Sequence, residues 1–265
     1  MNRRTFAATA VAAAGLAVPG LVGASTTEAA TPAAGRGSQD LLRLRQEMVA
    51  ALASDLDDRA TAVTEVPRIL DICFTWEPPT VEVAEVDFLV AYSFGNRAPA
   101  GGGDPTKVLY EPGPVNESLA DTVARVRRRK DVPVYAQWEI AHFLTGKYGM
   151  KDVTAINPVI AADGTITYLS TYGAAAQVVA ARKSLPGGIG TAGVIGFRDH
   201  VKRCVETTRL AGVPDSGAPA GYRMPGSYDP QSGQAWTRTR DLYLVHDMSA
   251  QWQMLEAELV AAAGS

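Results

Sequence analysis

Four short apolar runs alternate with amphipathic stretches through the middle of the chain, and this alternation predicts most of the fold. The first run is "VDFLVAYSFG" at 86–95, where Val86, Phe88, Leu89, Val90 and Ala91 are nearly continuous. A strand covered on both faces reads this way, because neither side has to meet water. "VPVYAQ" (132–137), "VTAIN" (153–157) and "TAGVIGF" (191–197) repeat the pattern. Helices are predicted between them. "GPVNESLADTVARVRRRK" has Asn116 as a candidate cap and acids in its first turn, and "WEIAHFLTGKYG" closes at Gly149. "TITYLSTYGAAAQVVAARKSL" passes from a short extended piece into a third helix, and "DHVKRCVETTRLAG" forms a fourth, ended by Gly212. Strand and helix in repeated alternation predict an α/β fold with a doubly wound, mostly parallel sheet.

The flanks read differently. Leu41, Leu42, Leu44, Met48, Val49, Leu52 and Leu56 recur at helical spacing, which predicts an added N-terminal helix with Ser38 as its cap and 31–37 as a flexible leader. "VPRILDICFTWEPP" predicts a short helix stopped by Pro78-Pro79. A C-terminal helical tail carries Trp236, Tyr243, Leu244, Met248, Trp252 and Leu255. The expected organisation is a signal at 1–30, a linker and N-terminal helical segment at 31–85, a core at 86–213, and a C-terminal extension at 214–265 that packs on the core.

Residues 1–30 follow the charged, apolar, small-residue order of an export signal. Adjacent Arg3-Arg4 before Thr5-Phe6 resembles the twin-arginine motif, which implies folding before translocation. The apolar stretch is rich in Ala and Gly and about 18 residues long, marginal for a span. An exported protein, extracellular or associated with the cell envelope, is therefore expected, with no permanent membrane span after cleavage.

Charge removes one further class. The formal net charge is −3, which argues against a nucleic-acid binder working through a basic face. The run Arg125–Lys130 (RVRRRK) reads as the solvated end of a helix, where cations offset the macrodipole. With two cysteines no zinc knuckle is expected, and the spacing of Cys73 and Cys204 leaves both a disulfide and two separate thiols open. Neither a nucleophile elbow, a Walker loop, a dinucleotide fingerprint nor a zincin helix is present, so no metal ligands are assigned and the cofactor stays unknown.

In an open α/β sheet, ligands bind beyond the carboxyl ends of the strands, where strand order reverses. The residues just after each predicted strand are therefore the candidates. Ser93, Gly95, Asn96 and Arg97 follow the first, and Gln137 and Glu139 the second. Ser170 and Thr171 open the third helix; Arg198, Asp199, His200 and Arg203 follow the last strand. Glu139 and His200 are the candidate acid–base groups. Ser93, Asn96, Ser170, Thr171, Asp199 and Arg203 are the candidate ligand-binding groups. Each has a structural reading beside the functional one: Asp199 as a helix cap, His200 as a buried structural imidazole, Glu139 as a first-turn acid. Cys204 is expected to be buried rather than nucleophilic, and His142 to pack. His246 and Asp247 are neighbours on a predicted helix and point different ways.

The order of "VDFLVAYSFG", "QWEIAHFL", "LSTYGAAAQ" and "GFRDHVKRC…RLAG" resembles the YdcF-like family of envelope-associated proteins, with its SanA and ElyC groups. The resemblance covers 86–213, about half the chain. It implies a Rossmann-like domain with a site at Glu139, Ser170, Thr171, His200 and Arg203, and a role in cell-envelope biology without a settled reaction. This chain departs from the family where a glycine pair becomes Ala136-Gln137-Trp138, and it lacks the asparagine-rich part of the Ser/Thr segment. Two functions are carried forward. In one, an exported protein binds or processes a small anionic, phosphorylated or nucleotide-like metabolite. In the other, a non-catalytic envelope binding or scaffold protein meets a partner through Trp236, Tyr243 and Trp252.

Overall fold

The computed structural model describes residues 34–104 and 106–264, so the expected export signal and the start of the leader lie outside the described residues. The chain divides into a unit ending at Glu47 and a unit from Met48 onward. Within the first, Arg43 and Glu47 pair across one helical turn at 2.8 Å. Helix α1 (Ala34–Leu56) begins before Ser38, so Ser38 lies within the helix and does not cap it, and 34–37 are helical. The helix α2 (Arg59–Phe74) is longer than predicted. Asp58 caps it by accepting the Thr61 N–H at 3.0 Å, and Val66, Leu70 and Ile72 are buried along its inner face.

The second unit holds a six-stranded parallel sheet, as the alternation predicts. Its strands are β1 (Thr80–Val81), β2 (Phe88–Ala91), β3 (Val134–Gln137), β4 (Val153–Ile156), β7 (Ala192–Ile195) and β8 (Ser216–Pro219). The spatial order is β1-β8-β7-β2-β3-β4. Helices α3 (Pro114–Arg127) and α4 (Trp138–Gly146) carry the chain outward from β2 to β4. α5 (Thr171–Lys183) returns it to the other side of β2, and α6 (Val201–Leu210) joins β7 to β8. Strand order therefore reverses between β2 and β7, and this Rossmann-like topology places a crevice at their carboxyl ends.

Period-two alternation assigns the central strands to two cores. Leu89 and Ala91 of β2, Val134 and Ala136 of β3, and Ile195 of β7 meet α3 and α4 through Leu119, Val123, Ile140 and Leu144. Phe88 and Val90, Tyr135, and Ala192 and Val194 meet α5 and α6 through Ala175, Val178, Cys204 and Val205. Both faces are covered, which is why the runs contain no polar alternation.

Two strands of this sheet, β1 and β8, escaped the sequence pattern. "SGAP" at 216–219 carries no apolar signal, yet all four residues are buried as β8. The sheet thus extends beyond residue 213, into the segment expected to be an extension. Gly217 explains the composition: a Cβ there would lie 2.6 Å from the Thr80 carbonyl carbon and 2.8 Å from the Val81 nitrogen. Its absence lets β1 pair alongside. Gly217→Ala is expected to cost about 1–3 kcal/mol, because the obstacle is backbone and cannot rotate away; urea denaturation measures it, and an unchanged midpoint would refute this packing. β5 (Val159–Ile160) and β6 (Ile166–Thr167) form a separate antiparallel hairpin; β6 is the short extended piece predicted before the third helix, whereas nothing in the pattern predicts β5. Lys107 Nζ bonds Asp163 and Thr165 of its turn, tying it to the long loop after β2.

Candidate functional site

A cleft of about 250 Å3 opens at the switch point. Three helix starts reach it: Gln137 and Glu139 from α4, Ser170 and Thr171 from α5, and His200 and Arg203 from α6. The first-turn N–H groups of a helix have no partner within it and carry the positive end of its dipole. Ser170 caps α5 by accepting the Gly173 N–H, whereas α4 and α6 have no side-chain cap bond. Polar amide density therefore collects at this edge.

The loop after β2 supplies Ser93, Phe94 and Gly95 to the cleft. Asn116 fixes it. Instead of capping α3, whose N-cap is Gly113, this buried side chain accepts the Phe94 N–H at 2.9 Å and donates to the Gly95 carbonyl at 2.7 Å. Gln137 accepts the Ser93 N–H at 2.8 Å. Gly95 has φ +66°, and a Cβ there would lie 2.8 Å from Ser232 Oγ and 2.9 Å from Thr237 Oγ1. Only glycine fits where the loop passes under the C-terminal segment. Behind the loop, Phe94 stacks on Phe197 at 3.9 Å and meets Tyr243 edge-on at 4.6 Å.

Glu139 is buried, and its Oε2 has no protein partner. Burial pushes its carboxyl up to about 7, against the opposing hydrogen bonds from its own backbone and from Ser93. His200 is also buried. Burial and then the Arg203 charge push its imidazole down to about 4, although Asp247 draws it the other way. It is therefore neutral at pH 7. Its Nδ1 lies 3.5 Å from Asp247 Oδ1, long for a hydrogen bond; an Nδ1–H directed there leaves Nε2 as an acceptor.

Arg203 donates Nε to Asp247 at 2.6 Å, NH2 to the Tyr243 hydroxyl at 3.1 Å and NH1 to Thr171 at 3.3 Å. A guanidinium has five N–H groups, so part of its donor set remains for a ligand. Tyr243 and Gln251 also donate to Asp247, at 3.0 and 2.8 Å. Although burial works against ionisation, the neighbouring His200 imidazole and the Arg203 charge hold the Asp247 carboxyl well below its ordinary range.

Six of the eight candidates from the sequence thus come together on one cleft: Ser93, Glu139, Ser170, Thr171, His200 and Arg203. Two do not. Asp199 neither caps α6 nor lines the cleft: His200 takes the N-cap position, and Asp199 accepts from Arg198, Arg240 and the Tyr228 hydroxyl. Burial works against its ionisation, but Arg198 and Tyr228 hold its carboxyl below the usual range. It anchors the tail segment to the start of α6. Asn96 is buried under the loop, and its carbonyl accepts the Gly233 N–H at 2.6 Å. Beside it, Arg97 grips Asp229 through two bonds of 2.8 and 3.1 Å.

These anchors bring in residues that lie outside the four strand ends. Gln234, Trp236 and Thr237, with Tyr243 and His246 of α7 (Arg240–Ala263), line the cleft. His246 and Asp247 do point different ways, one into the cleft and the other into the buried pair with Arg203. Of the aromatics considered as a partner surface, Tyr243 is buried, Trp252 is half-buried and Trp236 lies in the cleft. Cys204 is fully buried, burial pushes its thiol up, and it is not bonded to Cys73. Among the described residues, no group of three or more His, Cys, Asp or Glu is placed to hold a metal ion, and no helix is long and apolar enough to cross a membrane.

The fold and cleft define a Rossmann-like α/β protein with a polar cleft at its topological switch point. Scans of family models, of characterised proteins and of solved structures each found no match.

Proposed function

We propose that this is an exported, YdcF-like protein whose switch-point cleft binds a small phosphorylated metabolite of the cell envelope, with Glu139 as its proton-transfer group. The observation that carries this reading is the opening of three helix N-termini onto one small polar cleft, an arrangement suited to an anion. Arg203 is largely neutralised by Asp247, so the attraction comes mainly from helix amides and the remaining guanidinium N–H groups. His200 serves as a neutral orienting acceptor. A carboxyl poised near 7 both gives and takes a proton at neutral pH, and its free oxygen meets the ligand. The order of charged, apolar and small residues at 1–30 supports export.

A thermal-shift screen with sugar phosphates, nucleotides, peptidoglycan precursors and their unphosphorylated counterparts tests the reading. A phosphorylated ligand at a hundred times its dissociation constant should add about 2.7 kcal/mol of stability. Thr171→Glu places an acid where a helix start tolerates it but where the ligand's charge would sit, so the gain should vanish while the protein stays folded. Silence across the panel, or a gain that Thr171→Glu leaves intact, overturns the proposal.

A further inference from the structure

Trp236 is 43 % exposed yet lines the cleft, and its indole lies on the His246 ring with centroids 5.3 Å apart and planes 22° apart. The imidazole behind it is exposed on α7, and partial desolvation, then the Arg203 charge, lower its affinity for a proton. The platform is two stacked rings, one braced by the other. Elsewhere the lining is mainly polar, with hydroxyl and amide groups from Ser93, Ser170, Thr237 and Gln137 beside the half-buried Leu169 and the buried rings of Phe94 and Tyr243. The side-chain amide of Gln234 has no protein partner among the described residues, and Gln137 commits only its oxygen, to Ser93. Glu139 adds the unpartnered Oε2.

The combination is selective. Side-chain amides donate and accept together, which suits a ligand rich in hydroxyls. One aromatic face against a polar wall matches a saturated ring with an apolar C–H side and a polar rim. A nucleobase has two apolar faces, and a single platform leaves one of them without an apolar cover. Size restricts the ligand further: 250 Å3 falls just below the range of roughly 300–1,000 Å3 for drug-sized pockets, room for one ring and one phosphate.

Resting on the phosphate reading above, we infer that the cleft takes a phosphorylated pyranose, with the sugar ring on Trp236, its hydroxyls on Gln137, Gln234 and Glu139, and its phosphate at the helix starts.

The test follows tryptophan emission while the full chain is titrated with glucose 1-phosphate, glucose 6-phosphate, glucose, inorganic phosphate and adenosine monophosphate. Wild type is compared with Trp236→Leu and Trp236→Phe, and calorimetry supplies affinities where the emission is silent. One of the two sugar phosphates should bind at least about tenfold more tightly than inorganic phosphate, and which one it is shows where on the ring the phosphate sits. Trp236→Leu should remove that advantage without changing inorganic phosphate binding, and Trp236→Phe should keep most of it. Undiminished sugar phosphate binding by Trp236→Leu, or tightest binding of adenosine monophosphate, overturns the pyranose assignment and leaves the phosphate site standing. If no phosphate compound binds, both readings fall together.

Discussion

Asp247→Ala is expected to lower the unfolding free energy by about 3–5 kcal/mol, the cost of removing one partner from a buried ion pair. Its carboxylate accepts from Arg203, Tyr243 and Gln251 while only 1 % exposed. Without it the Arg203 guanidinium remains buried with no carboxylate to answer its charge. The double variant Arg203→Met with Asp247→Leu should lose much less, because two apolar groups of similar bulk leave neither a charge nor a cavity. Chemical denaturation of both variants decides the matter. Equal losses in the single and double variants would show that packing, and not the unpaired charge, sets the cost.

The second large effect is a pH dependence that the wild type conceals. The His200 imidazole is pushed down to about 4 in the folded protein, against about 6.5 when unfolded. Between those values only the unfolded chain takes the proton, so stability falls as pH drops from 6.5 to 4. Glu139 works in the opposite sense. Its carboxyl is pushed up to about 7, against about 4.3 unfolded, so the folded protein holds a proton that the unfolded chain has released. Its contribution is complete below about 4.3 and is lost as pH rises through 7. Each shift corresponds to about 3 kcal/mol, and the two slopes cancel across most of pH 4.5–6.5.

Glu139→Gln should therefore reveal stability rising by about 3 kcal/mol from pH 4 to 6.5, relative to wild type. His200→Gln, which keeps a donor toward Asp247, should reveal a fall of similar size from pH 4.5 to 7. Asp247, held low, changes its contribution only below about pH 4. Urea midpoints measured at half-unit pH intervals give both difference curves. Variant curves parallel to the wild type would show that these groups keep ordinary proton affinities and would remove Glu139 as the proton-transfer group.

The relation between sequence and site shows in particular residues. Glu139, Ser170, Thr171, His200 and Arg203 were legible because each follows a strand or opens a helix, and the switch-point rule converts chain position into spatial position. Asp199 satisfied the same rule and failed, because Arg198, Arg240 and Tyr228 compete for its carboxylate and two of them come from far along the chain. Asn116 had the composition of a cap, but the loop after β2 offered it two backbone groups at better geometry. Trp236 and His246 had no signal linking them to a cleft. Their arrival depends on the Arg97–Asp229 pair and the bond from Gly233 to Asn96, contacts that join segments more than a hundred residues apart.

Local periodicity determined the strand–helix alternation and both sheet faces, since burial of apolar side chains sets those patterns within a few residues. The sequence could not reveal β8, whose small residues are buried by the close approach of β1 at Gly217. Nor could it reveal the proton affinities of Glu139 and His200, which follow from the water that surrounding elements remove. Only the tertiary structure decided which polar groups were already spent on the protein and which remained for a ligand, because hydrogen-bond partners are chosen by proximity in space.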